Sequence, residues 1–108
     1  MFLAMNRFTV PLENAPAFEE MWLARESHLH QMPGFVEFHM LKGPEEDGSR
    51  LYASHTVWES EEAFRAWTTS EQFRASHSRA GETRKLYSGT PRFEGFVSIQ
   101  RKGRDGEG

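Results

Sequence analysis

From Phe2 to Val10 the chain alternates without a break. Phe2, Ala4, Asn6, Phe8 and Val10 fall on one face, and Leu3, Met5, Arg7 and Thr9 on the other. A period of two is the mark of a β-strand. Asn6 is the one polar residue on the otherwise apolar face. Burying an amide unpaired is costly, so it needs a partner. Pro11 ends the strand.

Asn14-Ala15-Pro16 reads as a helix start, since Asn can cap and Pro is tolerated in the first turn. Phe18, Trp22, Arg25 and Leu29 recur at helical spacing until Pro33-Gly34, which predicts a helix from about Ala15 to Gln31. Strands are expected over Phe35 to Lys42 and Arg50 to Trp58. They are joined as an antiparallel hairpin by the polar stretch Gly43 to Ser49. Ser60 is placed to cap a second helix, with Glu61 and Glu62 in its first turn, where the helix dipole favours them. Thr68-Thr69-Ser70 weakens that helix, which resumes over Glu71 to Arg79 and ends near Gly81. A loop over Glu82 to Pro91 leads to a last strand, Arg92 to Gln100.

The order β-α-β-β-α-β is the ferredoxin-like pattern of the α+β class, one sheet with both helices on one face. It assigns residues 1–102 to one domain and 103–108 to a disordered tail. Strands two and three carry apolar residues on both faces, including Phe35, Val36, Phe38, Met40 and Leu41, then Leu51, Tyr52, Val57 and Trp58. A sheet of that kind needs two covers. The helices supply one and a second subunit the other, which predicts a homodimer, a dimeric α/β barrel.

Composition removes several classes of function. The formal net charge of −3 leaves no basic footprint for a nucleic acid. With no cysteine there is no disulfide, thiolate metal site, iron–sulfur cluster or cysteine nucleophile. No apolar run approaches the roughly 20 residues of a membrane span. The first residues lack the charged head of a signal peptide, which makes a cytoplasmic location the expectation. The Walker, dinucleotide, zincin and nucleophile-elbow motifs are absent.

The histidines say little by themselves. His28 and His30, two apart, would splay by roughly 200° on a helix and make a poor chelate. His39 and His55 can face each other across the hairpin, as a strand pair or an interface contact. His77, near the end of the second helix, has the position of a helix-end cation or of a metal ligand. Trp67 by spacing alone is a core residue.

Longer segments carry a family resemblance. They are Ala4-Met5-Asn6-Arg7-Phe8, Pro33-Gly34-Phe35, Thr56-Val57-Trp58-Glu59-Ser60 leading to Phe64-x-x-Trp67, and Phe73-Arg74-x-x-His77. Over roughly Phe2 to Val97 the chain resembles the IsdG-type haem-degrading monooxygenases of the antibiotic biosynthesis monooxygenase superfamily. The stretch from Trp22 through Ser60 looks most like the haem oxygenases of rhizobial iron-uptake systems. The resemblance implies a catalytic set of Asn6, Trp67 and His77, with haem as both substrate and cofactor. His77 would be its axial ligand, and Trp22 and Arg25 would bind it from the first helix. Asn6 would donate a hydrogen bond near the reacting oxygen, and Trp67 would press on the macrocycle. By charge alone, Arg25, Arg84 and Lys85 are candidates to meet the haem propionates. The reaction needs O2 and an external electron donor, such as an unidentified reductase, because no flavin or nicotinamide fingerprint is present. Two alternatives share the fold: a cofactorless monooxygenase of polycyclic aromatics and a non-catalytic dimeric haem-binding protein. Trp67 and His77, ten residues apart, differ by roughly 80° on a straight helix, so a shared site requires a break at Thr68-Thr69-Ser70.

Overall fold

The computed structural model describes residues 1–25, 28–76 and 85–104. Strand β1 (Phe2–Pro11) is central. It pairs antiparallel with β3 (Ser49–Trp58) on one side and with β4 (Ser88–Val97) on the other. Strand β2 (Phe35–Glu46) lies outside β3, so the sheet order is β2-β3-β1-β4. Helices α1 (Ala15–Ala24), α2 (Glu61–Thr68) and α3 (Glu71–Ser76) complete the ferredoxin-like α+β arrangement.

The predicted alternation of β1 holds. Phe2, Ala4, Phe8 and Val10 are buried beneath the helices. They divide between two cores. Phe2 and Ala4 join Trp58, Leu29 and Trp67, with Ala63 and Phe64 of α2 packed against them. Phe8 and Val10 join Tyr52 and, from α1, Ala15 and Phe18. Asn6 falls in the interval.

Three element boundaries differ from expectation. The first helix stops at Ala24, where Arg25 turns extended; a left-handed His28 then leads into a short 3-10 turn, Leu29–Gln31. Leu29 is still buried, so the apolar spacing outlasts the helix that it suggested. Strand β2 continues through Gly43-Pro44 to Glu46. The hairpin then closes on Asp47 and Gly48 alone, both at positive φ (52° and 77°), as a tight two-residue turn requires. Strand β4 begins at Ser88, through Pro91, and ends at Val97. Both prolines sit in edge strands, where a missing N–H costs no ladder bond.

The caps divide likewise. Ser60 Oγ accepts from the Ala63 N–H at 3.1 Å, as its position predicts. Asn14 makes no cap; its side-chain amide donates instead to the Leu86 carbonyl at 3.3 Å. Gly34 (φ +83°) lies so close to α2 that a Cβ there would stand 2.6 Å from Ala63 Cβ, which ties the Pro-Gly-Phe turn to the helix.

The sheet face away from the helices is mixed. Leu41 and Phe96 are exposed on it. Arg7 pairs with Glu94 at 2.6 Å. His39 and His55 stand opposite each other with ring centroids 6.1 Å apart, and His39 Nε2 shares a 2.5 Å hydrogen bond with Glu37.

Candidate functional site

Between the two cores lies a cleft of about 440 Å³, within the range of small-molecule and cofactor sites. Its floor is the middle of β1, with Asn6 between Ala4 and Phe8. Trp22 and Arg25 border it from the end of α1, and Phe64 and Trp67 from α2. Phe73 and Phe93 extend its aromatic walls. Four of the five residues assigned to the site from sequence, Asn6, Trp22, Arg25 and Trp67, thus line one cavity. His77 lies outside the described residues, as does Arg84. Lys85 is exposed and is not among the lining residues.

Trp67 is held from behind and from the side. Trp58, fully buried, stands 6.2 Å behind it between ring centroids, and Phe73 meets it edge-on at 5.3 Å. Phe64 stacks on Phe93 at 5.7 Å with the rings 12° from parallel. These aromatic contacts fix the walls in place.

The break expected after Trp67 is present. Thr68 Oγ1 donates to the Arg65 carbonyl at 2.8 Å, and Thr69 Oγ1 to that of Ala66 at 3.2 Å. Ser70 Oγ donates to the Trp67 carbonyl at 2.7 Å and accepts from the Phe73 N–H at 3.0 Å. One hydroxyl therefore finishes α2 and starts α3. Hydroxyl side chains that bond nearby backbone compete with continued helix, which is why three in a row end it.

Polarity in the cleft is sparse. Arg25 is the charged residue among the described lining residues and Asn6 the amide. Asn6 is half-buried, and among the described residues its side chain makes no hydrogen bond. Arg25 lies over the Trp22 indole, its Cζ 4.5 Å from the ring centroid. Burial pulls its guanidinium below the usual arginine value, partly offset by the charge of Tyr87. Sequence spacing alone did not find Phe93. Its register opposite Asn6 places it on the cleft side, a position visible only once β4 is paired.

The other histidines stand apart. His39 and His55 are on the opposite sheet face, and among the described residues no three His, Asp or Glu side chains gather closely enough to hold a metal ion. No described helix is long and apolar enough to cross a membrane.

The sheet order, the helix layer and an aromatic cleft floored by one amide define a ferredoxin-like α+β ligand-binding scaffold. The chain belongs to the antibiotic biosynthesis monooxygenase family, whose sequence model matches residues 1–79. It is 35% identical over 63 residues to the mycobilin-producing haem oxygenase of Mycobacterium tuberculosis, an alignment that covers 58% of each chain. The chain thus spans less than two thirds of the length of that curated relative. Among solved structures it is similar to the M. tuberculosis haem degrader MhuD with two haems bound in its active site. The TM-score is 0.73 at 28% identity, covering 95% of this chain and 100% of that one. It is also similar to SnoaB, a cofactor-independent oxygenase from Streptomyces nogalater, with a TM-score of 0.67 at 28% identity, covering 93% of this chain and 94% of that one.

Proposed function

We propose that this protein is a haem-degrading monooxygenase. The observation that carries the reading is the placement of Asn6, Trp67, Trp22 and Arg25 around one apolar cleft between the two cores. The likeness to the mycobacterial haem degrader supports it. Haem is flat and apolar with one charged edge, and it matches a cleft of aromatic walls in which Arg25 is the cation among the described residues. In this reading haem is the substrate, opened at its rim at the expense of O2 and electrons from an external donor, with release of iron.

The residues divide the work. His77 would hold the haem iron through its imidazole. Asn6, in the cleft floor, would offer an amide N–H to the bound ligand. Trp67, backed by Trp58, bears on the macrocycle, and distortion of the ring is one lever a protein has on haem. Arg25 meets a propionate. A second copy covers the open face of the sheet, where Leu41 and Phe96 are exposed.

The test is an absorbance titration with hemin, followed by ascorbate in air, beside His77→Ala. The expected result is a saturable Soret shift that is lost in the variant, then decay of the band with iron released. No saturable binding would overturn the haem reading. The likeness to SnoaB would then favour an oxygenase that acts on a polycyclic aromatic without metal. Binding without turnover would instead mark a haem carrier.

A further inference from the structure

Two indole N–H groups, those of Trp22 and Trp58, are closed to solvent and without a hydrogen-bond partner among the described residues. A buried donor left unpaired costs free energy, so each asks for an explanation. Their settings differ. Trp58 is sealed within the core beside Phe35, Phe64 and Trp67 and does not border the cleft. Trp22 borders it.

The Trp22 ring is also fixed. Phe38 stacks on it at 6.2 Å and 23°, and Phe8 and Phe18 lie at 6.1 and 6.3 Å. These neighbours are hydrocarbon and offer the N–H nothing to bond. On the same indole rests the guanidinium of Arg25. The indole that carries the unsatisfied N–H and the cation resting on its face thus border one apolar cleft together. That pairing suits an anionic oxygen, which takes a charge-assisted hydrogen bond from each.

We propose that Trp22 is a substrate-binding residue whose indole N–H, together with Arg25, holds a carboxylate of the ligand. The proposal rests on the haem reading and deepens it: the carboxylate is a haem propionate, and the pair sets which edge of the macrocycle enters at α1. The acceptor arrives with the ligand. As the propionate seats, the Arg25 guanidinium, which lies over the indole face, turns toward it, and the groups that close the N–H edge give way. Free protein bears the cost of the unpaired donor and bound protein recovers it.

Trp22→Phe keeps an aromatic ring and removes only the donor's side of the indole. It is compared with the native protein for binding of hemin and of an iron porphyrin in which ethyl groups replace both propionates. A hydrogen bond to a charged acceptor predicts hemin binding weaker by about tenfold in the variant. The two proteins should bind the propionate-free porphyrin equally. If native protein binds hemin and Trp22→Phe binds it as tightly, the inference fails while the haem reading stands. An equal loss for both porphyrins also overturns it, since the ring and not the N–H would then matter. If native protein does not bind hemin, both fall. Should the variant not fold, the three indole N–H resonances of the native protein decide. Diamagnetic gallium protoporphyrin should move that of Trp22 further downfield than its propionate-free analogue, which shifts it by ring current alone, and equal shifts overturn the proposal.

Discussion

The core beneath α1 and the core beneath α2 share β1 but differ in how they close. Under α1, Val10, Phe18 and Tyr52 are sealed to 1% exposure or less. Tyr52 donates to Glu19, which also pairs with Lys42 at 3.0 Å, so polar groups tie helix to sheet at that end. Under α2, Trp58 alone among the described residues is sealed to that degree, and Ala4, Leu29 and Trp67 of the same core also form cleft wall. Of the described buried residues in the α1 core, Phe8 alone reaches the cleft, so that half is committed mostly to holding together. The other spends part of its apolar surface on a cavity, and Asn6 marks the boundary between them.

Phe18→Ala should test the sealed half most severely. Removing a fully buried phenyl is expected to cost about 3–5 kcal/mol in urea unfolding. A cost near 1 kcal/mol would mean that the α1 core is not the stabilising half. Asn6→Leu acts at the boundary. It replaces an amide without a side-chain partner by a group that both cores can pack against. It should raise stability by about 1 kcal/mol while abolishing haem turnover. A loss of stability would show that the interval between the cores cannot accept an apolar side chain.

Tyr52→Phe has the smallest expected effect and is read through pH. Burial first, and then the bond to Glu19, push the Tyr52 hydroxyl from 10.0 up to about 12. The folded state therefore holds a proton that the unfolded chain releases sooner. The resulting stability is complete below pH 10 and is lost as pH rises toward 12. The Glu19 carboxyl is held below its ordinary 4.5, chiefly by Tyr52 and then Lys42. Its contribution is present above that value and lost as pH falls through the lowered one. Tyr52→Phe should flatten both limbs of a melting-temperature profile and lower the neutral-pH value by a few degrees. Unchanged limbs would remove Tyr52 from the account of that end.

Much of this was legible in the sequence because period and chemistry agreed. The alternation of β1, the Ser60 cap and the break at Thr68-Thr69-Ser70 are local signals with local causes, and each appears where its residues place it. The misses have physical reasons too. Pro44 and Pro91 look like strand breakers, yet edge strands tolerate them, and edge position is a property of the whole sheet. Arg25 ends α1 without a Gly or Pro to announce it, while Leu29 keeps the apolar spacing going past the helix. Asn14 meets Leu86 rather than its own helix, across 72 residues of chain. The gathering of Asn6, Trp22, Arg25 and Trp67 required three elements to be brought together, which spacing along one element cannot show.

The chain has three tryptophans, and their placement has a spectroscopic consequence. Trp22 and Trp67 border the cleft, and Trp58 lies one ring behind Trp67. Every strong emitter in the protein is therefore within short energy-transfer range of whatever occupies that space. A coloured ligand should darken nearly all of the intrinsic fluorescence, so occupancy can be followed without a label. Because Trp22 sits on one wall and Trp67 on the other, with Trp58 behind it, emission from variants that keep one tryptophan would report each wall separately.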